Sequence, residues 1–227
     1  MAHFSPRLFA FLRDLAAHND REWFAAHRDD YERHVRLPAL RFIADLVEPF
    51  AAISPHFIVE PSVVGGSLIR MARDIRFSVD KSPYRTYLGV GIRHRMHEEA
   101  ATPRFYLAIQ PGRSYLGVGC WRPDAATAAK IRRAIADRPD EWEKTVGAPD
   151  FEQRFTLEGE RLARPPRGFD ADHPLIDDLR RKDFAASARF TNKAVTSSDF
   201  IDVFLERCRV AAPFVSFLCS ALDVPFD

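Results

Sequence analysis

The sequence predicts an α+β fold, a central antiparallel sheet covered by N-terminal, middle and C-terminal helices. Three observations carry that expectation. Apolar residues near the N-terminus recur at three- and four-residue steps, and from Phe57 the period shifts towards two. The order helices, strands, helices, strand, helices also lacks the strand–helix alternation that builds parallel sheets.

Ser5-Pro6, followed by Leu8, Phe9, Phe11, Leu12 and Leu15, reads as a capped helix with proline in its first turn, ending near His18-Asn19. Asp20 is placed to cap a second helix carrying Trp23, Phe24, His27 and Tyr31. Pro38 is expected to interrupt it before a third helix over 39–51. Together these form a helical layer over about 5–52.

Four short strands are then expected, over 68–71, 86–94, 104–110 and 113–120, and Pro111-Gly112 joins the last two as a hairpin. In the second of them Thr86, Leu88, Val90 and Ile92 alternate with Tyr87, Gly89, Gly91 and Arg93, giving one core face and one more open face. Asp124 caps a helix through Ile135, and Pro139 opens another that holds Trp142. Residues 159–172 are irregular, and their Arg164-Pro165-Pro166-Arg167-Gly168 centre is the best candidate linker within one domain over 1–227. A short helix over 174–181, a strand over 184–190 and one or two helices from Ser198 complete the chain, with Ser197-Ser198-Asp199 as an N-cap cluster.

Lys plus Arg number 33 against 32 Asp plus Glu, a net charge of +1 over 227 residues. No global field therefore draws the protein to nucleic acid or to an anionic membrane, and any anion site has to be local. Nucleic-acid binding has no strong signal beyond what a small basic patch could supply. Cys120, Cys208 and Cys219 are odd in number and lack Cys-x-x-Cys spacing, so they read as reduced core thiols of a cytoplasmic protein. The N-terminus mixes charges into its apolar residues, which fits neither a signal peptide nor a membrane span.

The densest charge lies in Arg70-Met-Ala-Arg73-Asp74-Ile-Arg76-Phe77-Ser-Val-Asp80-Lys81-Ser-Pro83-Tyr84-Arg85. Charged side chains are seldom buried unpaired, so this run is a solvated loop, an internally neutralised network, or an anion site. Arginine forks suit bidentate recognition of phosphate or carboxylate, with Lys81 as a point charge and Tyr84 as a hydrogen-bond donor. Asp74 or Asp80 would orient an arginine, bind a divalent cation together with substrate oxygens, or act as a base. The ligand-binding candidates are therefore Arg70, Arg73, Asp74, Arg76, Asp80, Lys81, Tyr84 and Arg85, and the ligand class is a small anion bearing phosphate or carboxylate. The alternative is an interaction or adaptor domain in which the same charges form a structural ion-pair network. The sequence specifies no reaction, catalytic residue, cofactor or oligomeric state.

The pattern Arg-x-x-Arg-Asp-x-Arg-Phe-x-x-x-Asp-Lys-x-x-Tyr resembles the signature of domain of unknown function 2461, a mainly bacterial family. Asn19-Asp20-Arg21-Glu22-Trp23-Phe24, Gly119-x-Trp121-x-Pro123, Pro165-Pro166-Arg167-Gly168-Phe169 and Arg181-Lys182-Asp183-Phe184 resemble further segments of that family. Asp20 stands where asparagine is expected to be commoner, and both cap helices. The resemblance implies no activity.

Other constellations read more plainly. His94 and His97 with Glu98 and Glu99 are metal-ligand types, but their place between two strands favours a solvated hairpin tip. Trp23, Phe24, Tyr31 and Trp121 read as core rather than pocket. Gly65-Gly66 and Gly89-Val90-Gly91 match no dinucleotide or phosphate-loop fingerprint, and no nucleophile triad is visible.

Overall fold

A computed structural model describes residues 2–62 and 64–227. The N-terminal layer begins with α1 (Pro6–Ala17), which buries Leu8, Phe9, Phe11, Leu12 and Leu15, the stripe set by the helical spacing. α2 (Arg21–Ala26) is capped by Asp20, whose carboxylate accepts from the Trp23 N–H at 2.8 Å. After α3 (Arg28–Tyr31) the chain does not break at Pro38 as expected. A π-helical turn, Glu32–Arg36, leads straight into α4 (Leu37–Ala51). Pro38 thereby falls in the first turn of α4, where its missing N–H and fixed φ are tolerated.

The sheet contains β1 (Phe57–Ile58), β2 (Leu88–His94), β3 (Arg104–Ile109), β4 (Ser114–Cys120), β5 (Thr156–Leu157) and β6 (Phe184–Phe190). Its spatial order is β1-β2-β3-β4-β6-β5, and every neighbouring pair is antiparallel. The expected strand over 68–71 is reduced to a bridge between Leu68 and Val90. Residues 67–69 run along the edge of β2, with Gly91 N–H donating to Ser67 O at 2.8 Å and Ile69 N–H to Gly89 O at 2.9 Å. The chain then leaves the edge, because the charges that begin at Arg70 do not suit a strand packed on the core.

Register separates the two faces. Val90 pairs with Leu107, Leu107 with Leu116 and Leu116 with Ala188, so one face carries an apolar row across four strands. Leu88, Val90 and Ile92 are at most 1% exposed beneath the helices. That layer is built by α4 and by α5 (Ala125–Asp137), α6 (Pro139–Val146), α7 (Pro149–Arg154) and α10 (Phe200–Ala221), with α10 packed on β4 and on each of the other four. Phe50 and Phe57 meet Phe105 edge to face, with centroids 5.1 and 5.2 Å apart.

Two short helices, α8 (Ile176–Leu179) and α9 (Asn192–Val195), flank β6. α9 is capped by Thr191, while Asp199 precedes α10 without a side-chain cap bond, so the Ser197-Ser198-Asp199 cluster does not act as anticipated. Residues 159–172 hold to the body through Leu162 N–H to Arg180 O at 2.6 Å and Arg180 Nε to Leu162 O at 2.7 Å. Cys120, Cys208 and Cys219 are free and buried. Among the described residues no helix is long and apolar enough to cross a membrane.

Candidate functional site

The charged run folds back on itself. Ala72 bridges Tyr84, Arg73 N–H donates to Pro83 O at 2.8 Å, and Arg85 N–H to Met71 O at 2.8 Å, closing residues 71–85 into a long loop. Asn19 clamps that loop to the N-terminal layer. Its amide nitrogen donates to Tyr84 O at 2.9 Å and its amide oxygen accepts from Tyr84 N–H at 3.1 Å. Phe24 stacks on the Tyr84 ring with centroids 4.1 Å apart. The N-terminal layer therefore meets the run through Asn19, just ahead of α2, and through Phe24 on α2.

Inside the loop the charges answer one another. Arg73 donates to Asp80, to Ser82 O at 3.1 Å and to Ser78 Oγ at 3.3 Å. Arg76 grips Asp74 with Nη2 to Oδ2 at 2.6 Å and Nε to Oδ1 at 3.0 Å. Lys81 Nζ donates to Ile75 O at 3.0 Å. Hydrogen bonds from the Ser82 hydroxyl and N–H, then from Arg73, hold the Asp80 carboxyl far below its ordinary range. Hydrogen bonds from Arg76 lower Asp74 likewise, with a smaller pull from Arg70. Of the candidate residues, Arg73, Asp80, Tyr84 and Arg85 line one concavity of about 350 Å³ with Asn19 and Tyr87. Arg70, Asp74, Arg76 and Lys81 do not line it; they are exposed on the loop's outer side. At the tip Phe77 and Val79 are 96% and 101% exposed.

A second polar region lies on the sheet face turned away from the helices. The alternation that buries Leu88, Val90 and Ile92 places Gly89, Gly91 and Arg93 on this side, and Tyr87, just ahead of β2, reaches it through a hydrogen bond with Tyr106. Pairing adds Arg104 and Tyr106 from β3, Tyr115 and Gly117 from β4, and Ser187 and Arg189 from β6. Glycines clear room for rings to lie across the strands. A Cβ at Gly89 would stand 2.9 Å from the Tyr106 hydroxyl, and one at Gly117 would stand 2.7 Å from Trp121 Cζ2. Gly119, at φ +109°, and Arg122, at φ +46°, turn the end of β4 sharply, which folds Trp121 back over the face. The Arg104 guanidinium sits over the indole, 5.6 Å from its centroid.

This face forms a concavity of about 630 Å³ lined by Arg113, Tyr115, Trp121, Arg122, Glu158 and Arg189 among others. Through Tyr115 and Trp121 it adjoins an apolar hollow of about 230 Å³ that includes Arg104 and Tyr106. Arg113, Arg122 and Arg189 line the larger concavity, Arg104 the hollow beside it, Arg93 together with Arg104 a further concavity past Trp121, and Arg85 the concavity on the loop side. Among the described residues none of the six has an ion-pair partner within 4.0 Å. Three carboxylates share the rim, and each already accepts a hydrogen bond: Glu158 from Ser187 Oγ, Asp183 from Arg122 N–H and Asp124 from Thr127 N–H. Arg85 Nε is buried without a hydrogen-bond partner, a costly state unless a ligand or solvent serves it. Burial, then a hydrogen bond with Tyr87, pushes the Tyr106 phenol above its ordinary value.

Of these groups only Arg85 stood among the sequence candidates. The signal that could have found the rest was the polar half of the strand alternation, read together with glycines opposite aromatic residues. Trp121, expected in the core, lines this concavity half-buried, whereas Trp23, Phe24 and Tyr31 pack against the core. His94 is not on a solvated tip. It is fully buried, its Nε2 lies 2.8 Å from Pro225 O, and burial pushes its imidazole down. Among the described residues no cluster of His, Cys, Asp and Glu has the spacing to hold a metal ion.

A family model described as "Conserved hypothetical protein (DUF2461)" matches residues 7–217. No curated protein and no solved structure matches the chain.

Proposed function

The chain belongs to the DUF2461 family of conserved hypothetical proteins, and from that premise, which assigns no reaction, we propose that it binds an anionic, phosphate- or carboxylate-bearing ligand on the open face of its sheet. The observation that carries this reading is the set of arginines on this face without ion-pair partners, three of which, Arg113, Arg122 and Arg189, line a concavity of about 630 Å³. Guanidinium forks with free donors are what a phosphate or carboxylate needs. The paired charges of the loop then serve as a brace that holds Arg85 and Tyr87 at the edge of the site.

Calorimetric titration with inorganic phosphate and pyrophosphate tests the reading. Arg113→Ala and Arg189→Ala, which both line the concavity, should each weaken binding about tenfold, the scale of one lost charge-assisted hydrogen bond, while Arg76→Ala leaves it unchanged. No heat of binding from either anion, or an equal loss from Arg76→Ala, would overturn it.

One observation favours a second reading, an interaction domain: Phe77 and Val79 are presented to solvent at the tip of the loop. A Phe77→Ser, Val79→Ser double variant that loses a captured partner yet still binds phosphate would establish it. A cytoplasmic location belongs to the same proposal and is supported by three free, buried thiols, with burial pushing Cys120 and Cys219 up to about 12.

A further inference from the structure

We propose that the open face is a platform for single-stranded nucleic acid, with bases stacked on Tyr106, Tyr115 and Trp121 and phosphates held by Arg104, Arg113 and Arg189. The inference rests on the anion reading above and names its ligand class.

Three features converge on it. The aromatic residues occupy the middle of the face, since Tyr106 pairs with Gly91 and Gly117 in the central strands, and all three rings line one hollow. The arginines border them: Arg104 lines the same hollow, its guanidinium 5.6 Å from the Trp121 centroid, and faces Arg93 at one end of the strands, while Arg189 pairs with Tyr115 near the other, where Arg113 also stands. A ligand satisfying both sets must alternate flat π-surfaces with anions, as a polynucleotide does. Inorganic phosphate, a simple carboxylate and an acidic peptide without aromatic residues leave the rings unused.

Dimensions agree. From the Arg104 row to the Gln110 turn the face runs about 20 Å along the strands at ~3.3 Å per residue. An axial rise of about 3.4 Å per nucleotide is that of a fully stacked strand, so the face takes at most about six nucleotides and fewer once the bases splay onto the rings. The glycines beneath Tyr106 and Trp121 keep the rings low enough for bases to settle on the sheet rather than against its edge. The near-zero net charge confines the attraction to this face, so binding should be local and weakly cooperative.

Fluorescence anisotropy of labelled oligothymidylate and oligouridylate on the full chain is the test, with thymidine monophosphate and inorganic phosphate as competitors. The oligomers should bind at least tenfold more tightly than the monophosphate. The slope of log affinity against log salt should be about −2 to −3, since each phosphate contact on a single strand contributes about −0.7. Trp121→Ala and Tyr115→Ala should each lose about tenfold or more without changing that slope. Arg104→Ala and Arg189→Ala should each flatten it by about 0.7, and Arg133→Ala on α5 should do neither. Circular dichroism of each variant separates lost binding from lost folding, and Tyr115→Ala serves if Trp121→Ala unfolds.

Oligomers no tighter than the monophosphate would overturn the platform while leaving the anion reading intact. Absence of binding by every anion would overturn both. Equal affinity for heparin, unaffected by Trp121→Ala and Tyr115→Ala, would also overturn the platform and mark the face as a general polyanion site.

Discussion

The loop over 71–85 and the open face of the sheet meet at Arg85, yet they handle charge in opposite ways. In the loop the arginines lie close together in sequence and are matched by Asp74 and Asp80 a few residues away. On the face they come from widely separated segments and have no such partners among the described residues. Charge density along a chain is thus a poor guide to uncompensated charge in space. A dense run tends to neutralise itself locally, while strand alternation quietly gathers like charges onto one surface.

Several measurements can break that contrast or sharpen it. The largest effect is expected from Gly119→Val, because the new side chain would meet the Phe184 carbonyl oxygen and would have to adopt φ +109°. A loss of about 3 kcal/mol or more in chemical denaturation is expected, with Trp121 displaced from the face. A loss below about 1 kcal/mol would mean that the turn after β4 is not fixed by close approach. Asn19→Ala should come next, at about 2 kcal/mol, since it strands both backbone groups of Tyr84. Hydrogen exchange should then quicken across 71–85 and stay unchanged in β3 and β4. Uniform quickening would show that loop and sheet open together.

A smaller difference separates two arginines of the loop itself. Arg73 is 23% exposed and bonds three partners, whereas Arg76 is 76% exposed and bonds only Asp74. Arg73→Ala should lower the melting temperature by a few degrees and Arg76→Ala should barely move it. Equal shifts would dissolve the distinction between brace and surface pair.

The smallest effect is on pH dependence. Asp80 is held below its ordinary 3.8 in the folded state, so the unfolded chain binds the proton first. Its stabilising contribution is whole above about pH 4 and fades as pH falls through the lower, folded value. Melting curves should accordingly be flat from pH 7 to pH 5 in this respect and decline below about pH 4. Asp80→Asn should remove part of that decline, and an unchanged acid limb would mean that the loop carboxylate is not coupled to folding. The arginines of the open face do not titrate in this range, so any acid limb in ligand binding there comes from the ligand or from unfolding and not from these groups.

Much of the fold is legible in the sequence. The alternation from Leu88 to Ile92, the Ser5-Pro6 and Asp124 helix starts and the Pro111-Gly112 turn are local signals, and each acts where it stands. Pro38 misled because a π-turn, which has no comparable local signature, carries the chain past it. The loop was legible as a charged segment, but its pairing was not, since Asp80 could serve Arg73 or a ligand equally well on sequence grounds. The open face was hidden for a different reason. Arg93, Arg104, Tyr115 and Arg189 become neighbours only through the β2-β3-β4-β6 register, and the overall neutrality of the chain conceals how unevenly its charge is spread.

The sheet is bounded by β1 and β5, stubs of two residues each. Stubs that short offer an incoming chain almost no ladder to extend, so edge-to-edge stacking of copies is discouraged even though four longer strands lie between them. They also restrict how any extended partner can be recognised. With the margins closed to strand addition, recognition has to run across the strands and depend on side chains rather than on backbone hydrogen bonds, so specificity can change by substitution at a few positions without disturbing the architecture.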